Sequence, residues 1–244
     1  MADLGVIVID KRFCGPAGSA NGGYASGALA AFIDGPAEVT LKAPPPLGAR
    51  LAVERRGDGV VALSGETLVA EARPAGVAAD LPPIPNAKAI DAARAEFHAN
   101  PQSRIFPNCF VCGPRRDDGL RIFAGKAAEA VNADYWTPAD DLAGPDGLIA
   151  PEFVWAALDC PSAFALRRTE GLCLLGRYAV DIARRPKPGE RLTVLAWKER
   201  SDGRKHFASS ALVDENGEAA ALANALWIDV ADPAFLEKLK QENA

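Results

Sequence analysis

Histidine and methionine are nearly missing: two His and one Met in 244 residues. Histidine is the side chain whose ordinary pKa suits proton exchange near neutral pH. There is no GxSxG turn, no GxxxxGK[ST] loop and no GxGxxG run. That leaves the usual serine-hydrolase, phosphate-loop and dinucleotide signatures without support. No apolar run approaches the ~20 residues needed to span a bilayer. The opening stretch, MADLGVIVIDKRF, carries Asp3 and no basic region, so it does not read as a secretory signal. Excess positive charge is also missing: 27 Lys and Arg face 32 Asp and Glu, a net charge of -5. A broad nucleic-acid footprint needs clustered cations, so none is expected. The five cysteines are an odd number in a chain this long, which argues against a disulfide framework. These absences together predict a cytoplasmic protein with reduced thiols and no membrane or nucleic-acid partner.

What is present is ordinary globular composition, with 49% hydrophobic and 24% charged residues. A chain of this length buries a sizeable core. Gly5–Ile9 reads as a short strand, followed by a small-residue loop from Cys14 to Gly23. Tyr24–Ile33 is an Ala-rich helix stopped by Asp34-Gly35-Pro36. Ala37–Lys42, Arg50–Arg56 and Val60–Ala72 have strand character, with a hairpin turn at Gly57-Asp58-Gly59. Residues 74–101 differ: Pro82, Pro83 and Pro85 interrupt them, and Ala87–His98 reads as one polar helix. Then the plan repeats. Leu120–Ala124 and Ala128–Tyr135 read as strands, and Leu148–Arg168 as a long apolar helix. Leu172–Ala183, Arg191–Glu199, Lys205–Val213 and Ala219–Ile228 read as strands. Their hairpin turns are Ser201-Asp202-Gly203 and Glu215-Asn216-Gly217. Asp232-Pro233 opens a terminal helix.

An ungapped internal match supports two related halves. At a constant offset of 141 residues, Val39, Leu41, Pro45, Gly48, Arg50, Leu51 and Val53 meet Val180, Ile182, Pro186, Gly189, Arg191, Leu192 and Val194. The pattern is strand, Pro-Gly turn, strand, on the same alternating phase. The expected domains are 1–80, a connector at 81–104, and 105–244.

One helix followed by an antiparallel meander, done twice, resembles the double hotdog of the thioesterase-like hotdog superfamily, an α+β fold. Three passages carry the likeness. Asn21-Gly22-Gly23-Tyr24 is similar to the Gly-Gly helix start of that superfamily. Phe106-Pro-Asn-Cys-Phe-Val-Cys-Gly-Pro114, with Gly119-Leu120 after it, resembles the segment leading into a strand in many hotdog proteins. Gly147-Leu-Ile-Ala-Pro-Glu-Phe-Val-Trp-Ala-Ala-Leu-Asp-Cys160 looks like a second helix start. The resemblance implies a curled antiparallel sheet around each helix. It also implies action on acyl-CoA or acyl-carrier thioesters, either as a hydrolase or as a non-catalytic acyl-CoA binding protein.

The chemistry can be read beside the likeness. A helix start offers unpaired amides and a positive dipole end. Such amides would polarise a thioester carbonyl and hold its oxyanion. Gly22 and Gly23 would let an acyl group come close, and Asn21 would cap the helix or bind a ligand. Gly147 is the corresponding candidate in the second half. Glu152 and Asp159 are seven residues apart, so they share nearly one helical face. The likeness to phenylacetyl-CoA-type hotdog thioesterases implies a helix carboxylate as general base or nucleophile. Asp159 lies 12 residues past Gly147 and Glu152 five, one about a turn beyond that pattern and the other slightly short. Glu152 would alternatively complement the helix dipole, and Asp159 would alternatively serve a kink at Pro161. The first helix has no acid, so a single composite site is expected, pairing Gly22-Gly23 with Asp159 or Glu152.

Other signals carry less. Cys109-x-x-Cys112 lacks a second CxxC, and Cys14, Cys160 and Cys173 are scattered, so no metal site and no cofactor is expected. Its bland reading is a turn held by Gly113-Pro114. His98 and His206 read as structural or solvated. A hotdog hydratase would resemble a family using a helix-start Asp/His pair, and neither histidine lies near a Gly-rich helix start. Arg184, Arg185 and Lys187 read as a solvated turn, or as a cluster for coenzyme A phosphates. Two fused halves would satisfy the usual hotdog pairing, with a further homodimer left open.

Overall fold

The computed structural model describes residues 3–99, 105–168 and 171–243. Its strands are β1 (Asp3–Val8), β2 (Ala37–Leu41), β3 (Arg50–Arg56), β4 (Gly59–Ser64), β5 (Thr67–Pro74), β6 (Gly125–Lys126), β7 (Val131–Trp136), β8 (Cys173–Ile182), β9 (Leu192–Asp202), β10 (Lys205–Val213) and β11 (Ala219–Asp229). The α-helices are α1 (Gly22–Ala30), α2 (Ala87–Ala99), α3 (Pro151–Phe164) and α4 (Pro233–Asn243). All strands join one antiparallel sheet in the order β1-β3-β4-β5-β2-β8-β11-β10-β9-β7-β6. Among the described residues, no helix is long and apolar enough to cross a membrane.

The order reads alike from both ends. In each half the strand after the helix is innermost, and the next three form a meander outward to an early strand. The innermost strands pair across the middle: Ala37 opposite Val180, Glu38 opposite Ala179, Val39 opposite Tyr178. The sequence offset of 141 residues carries the Ala37–Val180 pair onto the Val39–Tyr178 pair. The register therefore respects a two-fold relation between the matched segments.

Helix α1 packs on β2, β4 and β5, α3 packs on β7, β9, β10 and β11, and the two helices pack on each other. A helix between a sheet and another helix is apolar on most sides. Val154, Ala156, Ala157 and Leu158 of α3 are fully buried. The sheet also satisfies helix carbonyls: Tyr178 Oη donates to Trp155 O at 3.1 Å and Ser210 Oγ to Leu158 O at 2.8 Å. Helix α2 lies on β6 and β7. Its Arg94 pairs with the buried Asp134 at 2.7 Å.

Several boundaries differ from the sequence reading. The first helix begins at Gly22 rather than Tyr24, because Asn21 takes the N-cap position. Val60–Ala72 is two strands, since Ser64–Thr67 turns the chain inside an apolar run. Leu120–Ala124 is not a strand, although Leu120, Ile122, Phe123 and Ala124 are buried. Its amides bond to the Cys109–Cys112 loop instead, Leu120 N to Phe110 O and Ile122 N to Val111 O. Burial, not strand pairing, explains its apolar character. The long helix spans Pro151–Phe164 rather than Leu148–Arg168. Pro151 opens it, where a missing N–H costs nothing, and Ile149 instead bridges to Ala143.

Candidate active site

The start of α1 meets the middle of α3. Asn21 Oδ1 accepts the Tyr24 amide at 2.9 Å and so caps α1. That bond turns its Nδ2 toward α3, where it donates to Asp159 Oδ2 at 2.7 Å. The Gly23 amide donates to the same oxygen at 2.9 Å. The approach requires glycine: a Cβ at Gly23 would lie 2.6 Å from Asp159 Cβ and 2.8 Å from Trp155 O.

Asp159 is only 2% exposed. Burial pushes its carboxyl up to about 7, against the opposing pull of the Gly23 and Asn21 bonds. Its Oδ1 is buried without a hydrogen-bond partner. One carboxylate oxygen is thus pinned by the first half of the chain, and the other is uncommitted.

A cavity of about 1010 Å³ opens here, with Asn21, Gly22 and Asp159 in its wall. Leu41, Pro45, Phe164, Leu175, Trp227 and Phe235 supply apolar lining, and Lys42, Lys126 and Arg204 supply cations. Glu96, Asp229 and Asp232 line it as well.

Cys109, Cys112 and Cys160 line the same cavity. Their Sγ atoms lie within 4.8 Å of one another, and Cys109 and Cys160 are 3.7 Å apart. Thiol hydrogen bonds from Cys112 and Cys160 hold Cys109 below the usual thiol range. Contact with Cys109, together with burial, pushes Cys112 and Cys160 above it. The loop carrying the first two is rigid. Gly113 N donates to Cys109 O at 2.8 Å, and a Cβ at Gly113 would fall 2.5 Å from that carbonyl. Phe110, fully buried, packs edge-on against Phe13 at 5.0 Å and near Tyr24 and Phe153.

The structure brings Asn21 and Gly23 onto Asp159 and puts Gly22 in the wall of the same cavity. It does not bring Glu152 or Gly147 to them. Glu152 shares the α3 face toward α1, with its backbone against Gly27, but it does not line the cavity. Gly147 is not a helix start: its amide bonds to Gly144 O in a turn, and Ala150 is the α3 N-cap. Gly23 is also differently used, since its amide faces Asp159 and not the cavity. Sequence reasoning missed the association of Cys160 with the CxxC pair. No spacing announces it, because a loop and a helix meet only in the fold.

Arg184 pairs with Glu190 and Asp214 at 2.7 and 3.1 Å, and Arg185 with Asp146. These belong to a surface turn away from the cavity. His206 is held by Ser201, Asp229 and Arg168, and His98 packs near Phe97 and Phe123.

No family model matches the chain, and no curated protein matches it in sequence. Solved structures do match in shape. The tesB protein of Mycobacterium avium subspecies paratuberculosis aligns over 94% of this chain and 95% of its own, with TM-score 0.61 and 16% identity. A Thermobifida fusca protein described as a "putative thioesterase II" aligns over 93% of each chain, with TM-score 0.59 and 17% identity. A Novosphingobium aromaticivorans protein described as a "putative thioesterase" covers 91% of this chain and 94% of its own, at TM-score 0.58 and 14% identity. The chain therefore shares the overall fold of these structures. At these identities the likeness is one of fold.

Proposed function

We propose that the protein hydrolyses an acyl thioester of the coenzyme A type, with Asp159 as general base. The observation that carries this reading is the pair of hydrogen bonds that Asn21 and Gly23 donate to one oxygen of Asp159 beside a large, mostly apolar cavity. Residues 1–80 and 105–244 are read as two hotdog halves joined by 81–104. The site lies where their helices cross.

In this mechanism Oδ2 of Asp159 is fixed and Oδ1 takes a proton from a water molecule. The water oxygen attacks the acyl carbon. The Gly22 amide, at the positive end of α1 and in the cavity wall, polarises the carbonyl and holds the oxyanion. Collapse of that intermediate breaks the carbon–sulfur bond. The carrier thiolate leaves and takes that proton from Asp159, which restores the carboxylate. Lys42, Lys126 and Arg204 are placed to meet the carrier's phosphates.

Free-thiol release should be measured across short, medium, long and aromatic acyl-CoAs, with Asp159→Asn alongside. Loss of a positioned general base costs about 10²–10⁴-fold, so release should fall at least 100-fold while substrate still binds. Undiminished turnover by Asp159→Asn would remove the carboxylate from the mechanism. No release from any thioester, with binding seen as a thermal shift, would favour an acyl-CoA binding protein on the same fold.

A further inference from the structure

We propose that Cys109, Cys112 and Cys160 form a three-thiolate site for a zinc(II) ion. The site shares its cavity with Asp159, but its test reads metal binding and not thioester turnover.

The geometry is the first argument. Zinc holds thiolates at about 2.3 Å in a tetrahedron, which separates neighbouring sulfurs by about 3.8 Å. Cys109 and Cys160 already stand 3.7 Å apart. The third sulfur lies within 4.8 Å of both, so closing the triangle needs about 1 Å of rotamer movement. A disulfide needs sulfurs at about 2.05 Å, and all five cysteines are free thiols.

The supports are the second argument. Cys109 and Cys112 sit on a turn closed by the Gly113 amide and anchored by Phe110. Cys160 is on α3, whose carbonyls are tied to the sheet. Asn21 Nδ2 also lies 3.8 Å from Cys160 Sγ, the kind of outer contact that orients a metal ligand. Two rigid elements thus hold the three sulfurs with little freedom to lose on binding.

The open side is the third. All three residues border the cavity. Three protein ligands with a fourth position facing a cavity is the pattern of a zinc site that takes water or an exogenous ligand there. Thiolate softness favours zinc over magnesium or calcium. The CxxC pair lacks a partner pair in the sequence, and α3 supplies the third ligand instead.

The test uses full-length protein, reduced and stripped of metal, titrated with cobalt(II) and then zinc(II). One equivalent of cobalt should bind. It should give thiolate-to-cobalt charge transfer and the intense visible bands of a tetrahedral site, both abolished by one equivalent of zinc. Cys109→Ser, Cys112→Ser and Cys160→Ser should each weaken zinc at least tenfold. Cys14→Ser should bind normally, since its thiol bonds to Asn108 O instead. The wild-type titration does not depend on any variant folding. Absence of a stoichiometric cobalt spectrum in the reduced wild type would overturn the proposal. So would full zinc affinity in folded Cys160→Ser protein.

Discussion

Asn21 does two jobs with one amide group. Its oxygen caps α1 and its nitrogen grips Asp159. The two can be separated. Serine caps a helix about as well as asparagine, whereas alanine costs about 1 kcal/mol at such a position. Serine is too short and differently shaped to replace the amide donor to Asp159. Asn21→Ser should therefore be more stable than Asn21→Ala by about 1 kcal/mol in urea unfolding. Both should lose thioester hydrolysis by a similar factor. Wild-type turnover in the serine variant would show that the cap, not the grip on Asp159, matters for catalysis. At this scale the sequence was a partial guide. Asn21, Gly22, Gly23 and Asp159 stood out as residue types in suggestive places. Glu152 and Gly147 stood out equally well, and nothing in one dimension separates the two sets. The distinction is a matter of which side chains the crossing helices bring to the cavity.

Helices α1 and α3 cross at glycine. A Cβ at Gly27 would lie 2.7 Å from Glu152 Cα and 2.8 Å from Trp155 Cβ. Two effects oppose each other on substitution. Alanine is a better helix former than glycine by about 1 kcal/mol. Overpacking against a buried neighbour costs about 1–3 kcal/mol, most where the neighbour is backbone and cannot turn aside. Packing should win, so Gly27→Ala should lower the thermal midpoint despite the gain in propensity. A raised midpoint would mean that the two helices part without cost. Most strands and all hairpins with Asp-Gly or Asn-Gly chemistry were legible, because that chemistry is local. The turn between β4 and β5 was not, since Ser64-Gly65-Glu66 interrupts an otherwise continuous strand pattern. Leu120–Ala124 misled for a different reason. Its apolar residues are buried by α2 and the cysteine loop, and burial leaves the same mark as a strand.

The two runs of strands meet in the middle of the sheet at β2 and β8, and the helices α1 and α3 pack on each other. Neither contact belongs to one half alone. The molecule should therefore unfold as one cooperative unit. The four tryptophans, Trp136, Trp155, Trp197 and Trp227, all lie after residue 105. Tryptophan fluorescence therefore reports the second half, while far-ultraviolet circular dichroism reports both. The two signals should trace one coincident transition in urea. Separated midpoints would show that the halves are independently stable.

The sequence alone determined most of the helices and strands, the match between segments 141 residues apart and the likeness to hotdog proteins. Those follow from periodicity, turn chemistry and an ungapped match, all of which are properties of neighbouring residues. The tertiary structure decided which acid faces the cavity, that the Gly23 amide serves Asp159, and that Cys160 joins Cys109 and Cys112. Each of these depends on a contact between segments far apart in the chain: Gly23 with Asp159, and Cys109 with Cys160. Sequence spacing carries no information about such a contact until helix packing against the sheet sets the distance.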